Sequence, residues 1–468
     1  MDQADNYLQR IFQQAAVNID SRKASLFQDF KKQLHILADI EQIKNIQSGI
    51  MKKWQLHERV ADIKAQSFSF PNGSVGKEYL HQLDIEKLQL QDVLEISIVL
   101  APESGLQYDP ENKQITGIPE ISGDLQLQFN FILKDQPDAA QQHHKTILLI
   151  INPDPKTLWK DIPSEAGARF SKVDNADAAD AFLDKRIVVS SKRGRSHANV
   201  GSARDDDFAF HNCDNGWSII AVSDGAGSAE FSREGSKLAC SSIISYFESR
   251  VKDPDFRVFD DLVQQFSQGD EAEVGTLINH FVYREIGNAA LRTHKLIESF
   301  AIDQELTMKQ LHATFIFCLV KKYDAGYAIL SFSVGDCPIA LLNKDVSEVK
   351  MLNQLDVGEY AGGTRFITMP EIFESSSLSQ RLSFKLIDDF SYLMLMTDGI
   401  YDPKFITEAN LERIEKWNGF IADLKGKNEY GRGVDFDYGN SNIKGQLSQW
   451  MDFWESGNHD DRTLAIIY

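Results

Sequence analysis

Basic residues are in short supply. Lys and Arg number 49 against 69 Asp and Glu, a net charge of −20. A nucleic-acid partner is therefore not expected, because no cationic surplus exists to neutralise phosphates; a solvated acidic surface is. Cysteine is scarce as well. Cys213, Cys240, Cys318 and Cys337 show no C-x-x-C pairing, and three lie in or beside apolar runs, so buried free thiols are expected rather than disulfides or zinc ligands. No apolar run reaches membrane-spanning length, and the opening MDQADNYLQR lacks the basic-then-apolar pattern of a secretory signal. A cytoplasmic, reducing location with no membrane partner is the expectation. No GxxxxGK[ST] loop occurs, and Glu230 stands where a dinucleotide fingerprint beginning at Gly225-Ala226-Gly227 needs its third glycine. Asp435-Phe436-Asp437-Tyr438-Gly439 starts like a calcium loop, but Asn440 occupies the place of the turn glycine.

What is present is ordinary globular composition, 42% hydrophobic and 25% charged, over 468 residues. At roughly 150 residues per domain that length suits about three domains. Residues 1–66 contain no proline and read as helical: Leu8, Ile11, Phe12 and Ala15 share one face, as do Phe27, Phe30, Leu34, Leu37, Ile40, Ile43, Ile46 and Ile50. Asp20-Ser21 can cap a second helix. A helical hairpin, or a helix packed on the next domain, is expected to bury that stripe; a coiled-coil dimer is the alternative. From 67 to 153 apolar and polar residues alternate between turn signals, with strands at Val93–Val99, Leu125–Leu133 and Thr146–Ile151, the pattern of a small β-sandwich. The run Gly105-Leu106-Gln107-Tyr108-Asp109-Pro110, followed by Gly117-Ile118-Pro119 and Gly123, resembles an Ig-like or cadherin-like repeat. That resemblance implies spacing or partner docking rather than chemistry. Asn152-Pro153-Asp154-Pro155 opens a linker or irregular stretch over 154–185, whose Ala/Asp-rich piece Asp174–Asp184 reads as a surface loop or short helix. Residues 186–468 form one large unit.

Within that unit four apolar segments carry an aspartate at one end. Ile219–Val222 stops at Ser223-Asp224-Gly225, Phe332–Val334 runs into Gly335-Asp336, Tyr392–Met396 runs into Thr397-Asp398-Gly399, and Asp460-Asp461-Arg462 precedes Thr463–Tyr468. One such aspartate is a turn former. Four suggest carboxylates converging at one edge of a packed sheet, where hard oxygen ligands suit Mg²⁺ or Mn²⁺. Strands are expected at Phe208–Phe210, Trp217–Val222, Phe315–Lys321, Ala328–Val334, Phe366–Met369 and Leu393–Met396, and helices at Gly235–Phe247, Ile278–Ile297 and Ser441–Trp454. The pattern by itself gives only α+β.

The ordered motifs carry a resemblance. Gly194-Arg195-Ser196-His197, Gly201 through Phe208, Asp224-Gly225-Ala226-Gly227-Ser228, His312-Ala313-Thr314, Val334-Gly335-Asp336-Cys337, Gly358-Glu359-Tyr360-Ala361, Thr397-Asp398-Gly399 and Asp460-Asp461-Arg462-Thr463 together resemble the PP2C-type (PPM) metal-dependent protein phosphatases, most of all a bacterial branch. The resemblance implies a four-layer α-β-β-α sandwich, preceded here by the small β-sandwich and the helical segment. It also implies a phosphoprotein substrate, a Ser/Thr kinase or its target as partner, and two Mg²⁺ or Mn²⁺ ions with a third in some relatives. By position Asp224 would bridge the ions, the Gly225 carbonyl would add a ligand, and Asp206, Asp398 and Asp460 would be further metal aspartates. Asp336 would help hold a third ion. Two ions roughly 3.5–4 Å apart can lower the pKa of a water and neutralise phosphoryl charge, so that attack needs no covalent enzyme intermediate.

The departures from the family pattern are equally specific. Ala226 stands where many members carry a histidine, and Gly201 stands where an arginine commonly grips the phosphate, five positions before the early metal aspartate. Asp205 replaces the usual Glu or Gln beside Asp206. His197 can assist as acid or phosphate contact, or be a hydrogen-bonded structural histidine; Arg195, Arg193 or Arg204 can substitute for the missing arginine. A metal-dependent phosphatase is thus the first expectation. A non-catalytic sensing or scaffolding module of the same fold, docking partners through residues 1–153, is the second.

Overall fold

A computed structural model describes residues 2–136, 141–269, 271–356 and 363–468. The chain divides into two compact units, Met1–Leu158 and Trp159–Tyr468. In the first, helices Asp2–Gln14, Ala24–Lys31 and Leu34–Ala65 precede a four-stranded sheet, ordered Gly73–Ser74, His143–Asn152, Gly123–Leu133, Val93–Val99, and a three-stranded sheet of Tyr79–Gln82, Gln114–Gly117 and Leu106–Asp109. Inward residues of both sheets, among them Ile115, Phe129, Phe131 and Leu149, form one core that also takes in Ile63 from the end of the long helix. Arg59 fastens that helix end with two bonds to Asp92, Nε at 2.7 Å and a terminal nitrogen at 2.9 Å.

The rest of the long helix departs from expectation. Leu8 and Ile40 are buried and the Tyr7 hydroxyl donates to Gln47, but Leu37, Ile43, Ile46, Ile50 and Trp54 are exposed. The first helix has 13 residues against 32 in the long one and so covers only a short part of the stripe.

In the second unit each of two sheets is antiparallel throughout. The five-stranded sheet runs Asp207–Asn212, Trp217–Ser223, Phe315–Tyr323, Gly326–Val334, Leu382–Ile387. The six-stranded sheet runs Val349–Met351, Ile339–Asn343, Phe390–Met396, Arg462–Ile467, Lys185–Lys192, Asn175–Phe182. Side chains that alternate along each strand sort into three cores. Ile220, Val222, Ile316, Cys318, Leu393, Leu395, Ala465 and Ile467 meet between the sheets. Ile219, Ala221, Phe315 and Phe317 face the helices Ser232–Arg250, Pro254–Ser267 and Glu271–Asp303. Met394, Met396, Leu464 and Ile466 face Asp398–Phe405, Ile414–Leu424 and Ile443–Trp450. Three apolar layers between four layers of backbone make the α-β-β-α sandwich, in an α+β chain.

Two local readings need correction. Asn175–Phe182 is neither loop nor helix but the edge strand of the larger sheet, paired along its length with Lys185–Lys192. Its alanines and aspartates are poor strand formers, and the partner strand imposes the conformation. Phe366–Met369 is not a strand: a bond from the Ile367 N–H to Ala313 and one from His294 to the Ile367 carbonyl leave no ladder to extend. The four cysteines are free and buried. Among the described residues no helix is long and apolar enough to cross a membrane.

Candidate active site

Five aspartates flank strand ends at one edge of the two sheets: Asp206 before Asp207–Asn212, Asp224 after Trp217–Ser223, Asp336 after Gly326–Val334, Asp398 after Phe390–Met396, and Asp460 before Arg462–Ile467. Specific hydrogen bonds from distant residues place Asp206, Asp224 and Asp336. The Asp224 N–H donates to Thr314 Oγ1 at 2.9 Å, and the Thr314 N–H donates back to the Asp224 carbonyl at 2.8 Å. The His312-Ala313-Thr314 stretch thereby fixes the bridging candidate, helped by the pairing of Gly225 with Ala313. Gly225 packs so closely on Asp205 that a Cβ would stand 2.7 Å from its carbonyl oxygen, and only glycine leaves that approach open.

Asp206 ties the two sheets together. Its Oδ2 accepts from the Thr397 hydroxyl at 2.9 Å and the Thr463 hydroxyl at 2.7 Å, both from the larger sheet's edge. Asp398 begins the helix Asp398–Phe405, and its Oδ1 is buried without a partner among the described residues. Asp336 accepts from Thr364 Oγ1 at 2.9 Å. One ligand atom each from Asp224, Asp336 and Cys337 lie within 4.8 Å of one another, and the same holds for His197, Asp460 and Asp461. The Gly358–Ala361 motif lies outside the described residues.

Negative charge is concentrated here. Burial first, and then the charges of Asp398, Asp206, Asp460 and Asp336, hold the Asp224 carboxyl well above the ordinary carboxylate range. Asp206 is shifted the same way by burial and by Asp461. Burial with Asp460 and Asp336 pushes Asp398 up to about 7. Like charges brought together in a desolvated cleft disfavour ionisation of each. Burial and the nearby Asp224 and Asp336 charges raise the Cys337 thiol too, keeping it neutral. The donors are nearly all oxygen, Asp398 Oδ1 is buried without a partner among the described residues, and the carboxyls raise one another's pKa values. These residues fit divalent cations of the Mg²⁺ or Mn²⁺ kind.

Three further residues build the site that motif reading did not single out. Asp461, buried beside the rim residue Asp460, accepts from the Gly194 N–H at 2.6 Å, the Asp205 N–H at 2.5 Å and the His197 ring at 3.0 Å. Although burial opposes it, that set holds the Asp461 carboxyl below its usual range. Lys172 Nζ donates to the Asp206 carbonyl at 2.6 Å and to Asp207 at 3.1 Å from behind the loop. Arg233 Nε donates to Asp205 Oδ1 at 3.1 Å. The Asp460-Asp461 doublet pointed at Asp461, but Lys172 lies in a stretch without motif.

His197 stands between acids, Nδ1 at 3.0 Å from Asp461 and Nε2 at 3.4 Å from Asp205. Burial would lower its pKa, but the Asp461 hydrogen bond and the surrounding acids raise it to about 9. Arg195 does not join the acids. Its guanidinium donates to the Phe453 and Asp452 carbonyls, both at 3.3 Å, and lies over Trp454.

The fold is a layered α-β-β-α sandwich with an acid-lined edge. The Protein phosphatase 2C family profile matches residues 193–430, just over half of the chain, and the chain belongs to that family. Asp460 lies beyond the matched stretch. Among solved structures, a bacterial serine phosphatase is 14% identical with a TM-score of 0.35, covering 61% of this chain and 97% of its own. The serine/threonine phosphatase Stp1 from Staphylococcus aureus is 13% identical at TM-score 0.36, with 61% and 95% covered. The serine-threonine phosphatase 2C from Toxoplasma gondii is 11% identical at TM-score 0.36, with 63% and 98% covered. No curated protein matches the sequence.

Proposed function

We propose that this protein is a Mg²⁺- or Mn²⁺-dependent phosphatase acting on phosphoserine and phosphothreonine in proteins, and that its activity opposes a Ser/Thr kinase of the bacterial type. The observation that carries the reading is that buried Asp206, Asp224 and Asp398, from strand ends of both sheets, lie close enough to raise one another's pKa values, with Asp398 Oδ1 buried and unpartnered among the described residues. In this reading Asp206, Asp224, the Gly225 carbonyl, Asp398 and Asp460 would hold two ions, and Asp336 with Asp398 a third. Bound there, such ions supply Lewis acidity, lowering the pKa of water and neutralising phosphoryl oxygens.

The chain's own residues do the rest. Buried Asp206 and Asp224 shape a cleft in which bulk water is reduced and charges interact strongly. Asp461 and Lys172 hold the loops that present Asp205 and Asp206. His197, kept protonated by Asp461 and Asp205, brings a positive charge and a transferable proton to the cleft wall. Water adds to phosphorus in line with the ester bond, the Ser or Thr oxygen leaves with a proton, and the products are alcohol and inorganic phosphate.

Purified protein with Mn²⁺ and a phosphoserine peptide should release phosphate, and Asp224→Ala and Asp398→Ala should each remove that release. No release at any metal concentration rejects the reading. The second reading, a module of the same fold without turnover, is favoured by Ala226 and Gly201 at two positions where relatives carry reactive groups. It predicts partner binding that survives both substitutions. Residues 67–153 would be an Ig-like spacer, and residues 1–153 would dock the phosphoprotein or its kinase; the exposed row Ile43, Ile46, Ile50 and Trp54 supports that role. The free, buried cysteines support a reducing, cytoplasmic setting.

A further inference from the structure

A phosphomonoester entering an acid-lined cleft needs a fixed cation to orient it, and a planar guanidinium fork is the side chain best matched to two phosphoryl oxygens. At position 201 there is no side chain to serve. The arginines near that position are engaged elsewhere. Arg193 donates to Asp161 at 2.8 Å and to the Ser202 carbonyl at 3.1 Å, and pairs with Asp174 at 3.3 Å. Arg195 is turned to the Phe453 and Asp452 carbonyls. Arg204 is fully buried against Ser191 and lies 4.0 Å from Asp207.

Arg233 is different. It lies in the first turn of the helix Ser232–Arg250, and its carbonyl accepts from Lys172 Nζ at 3.2 Å, which fixes its backbone. Its Nε is held by Asp205 Oδ1 at 3.1 Å, and its side chain keeps 16% exposure. The two terminal amino groups make no hydrogen bond among the described residues and are not sealed from solvent. The other oxygen of Asp205 faces His197 Nε2 at 3.4 Å, and His197 in turn groups with Asp461 and Asp460. Arg233 is therefore one carboxylate away from His197 and the acid cluster.

We propose that Arg233 binds the phosphate of the incoming phosphomonoester, anchored through Nε by Asp205 and offering its terminal amino pair to two phosphoryl oxygens. The inference rests on the phosphatase reading. It assigns Asp205 a role that explains the replacement of a longer side chain: a short acid that orients an arginine.

The test uses the full chain loaded with Mn²⁺ and inorganic phosphate as the probe, with three readouts. These are the phosphate inhibition constant, KM against kcat for a phosphoserine peptide, and Mn²⁺ affinity by titration. Arg233→Ala should weaken phosphate binding by about 10- to 100-fold, the loss expected for charge-assisted hydrogen bonds, and raise KM, with Mn²⁺ affinity unchanged. Arg233→Lys retains a point charge and should recover only part of the binding. Unchanged phosphate affinity in Arg233→Ala overturns the proposal. So does a parallel loss of Mn²⁺ affinity, which would make Arg233 a support for Asp205 alone. If Arg233→Ala does not fold, Arg233→Lys decides: several-fold weaker phosphate binding supports the proposal, and wild-type binding overturns it. A wild type that releases phosphate while its variants bind it equally well removes only the Arg233 assignment. A wild type that neither binds nor releases it removes the phosphatase reading as well.

Discussion

Asp461 accepts three hydrogen bonds in a buried position, from two backbone N–H groups and His197, and so fixes the loops of Gly194 and Asp205 at once. Asp461→Asn keeps the volume but replaces one accepting oxygen with a donor that faces an N–H. A loss of about 2–4 kcal/mol is expected in urea melts, since hydrogen bonds to a charged acceptor contribute about 1.5–3 kcal/mol each. The aspartates proposed to hold metal act in the opposite sense. Their folded pKa values are raised above the unfolded value, so the folded state binds protons more tightly. For Asp398 the resulting penalty is absent below roughly pH 4 and grows as pH rises toward the folded value of about 7. The metal-free protein should therefore lose stability across that window, and Mn²⁺ should restore it. Asp224→Asn should raise the melting temperature of the metal-free protein at pH 7.5 while abolishing the rise on adding Mn²⁺; scanning calorimetry with and without the ion checks both. At this scale the Asp-Gly pairs were legible because a carboxylate beside a flexible residue is a chemical statement. Thr397, Thr463 and Lys172 were not, because a hydroxyl or an amine carries no record of which distant loop it will meet.

Gly399 shows what a helix start can demand. A Cβ there would stand 1.9 Å from the Asp461 carbonyl oxygen, a backbone atom that cannot swing aside. Gly399→Ala must push the helix Asp398–Phe405 off the strand end, at a cost of about 1–3 kcal/mol as for other overpacked sites. Because Asp398 opens that helix, Mn²⁺ affinity should fall too, measurable by titration alongside the melt. Central strands such as Trp217–Ser223 and Phe315–Tyr323 could be read in advance, since runs of β-branched and aromatic residues bounded by turns have few other uses. The edge strand Asn175–Phe182 could not. Its alternation is weak, and its register comes from Lys185–Lys192, with Ser190 Oγ donating to Asp177 at 2.5 Å across the pair. The long helix misled for a related reason: a stripe of isoleucines announces that something should cover it, and not that the cover lies in the same chain.

For the whole molecule, the layering followed from the family resemblance and not from periodicity, because the assignment of alternate residues to three separate cores depends on how strands cross the chain. The two compact units each enclose a core of their own. Residues 159–468 produced alone should fold, bind Mn²⁺ and release phosphate with an unchanged kcat on a small phosphoester. A shortened chain that is unfolded by circular dichroism would refute this.

The bonds from Thr397 and Thr463 to Asp206 span 191 and 257 positions of the chain. No early fragment can present that cluster, so, on the proposed metal reading, cation capture would have to wait until Arg462–Ile467 has slotted between its two neighbours. An ion held there would act as a latch and not as a nucleus: Mn²⁺ should leave the refolding rate unaltered and lengthen the lifetime of the finished protein.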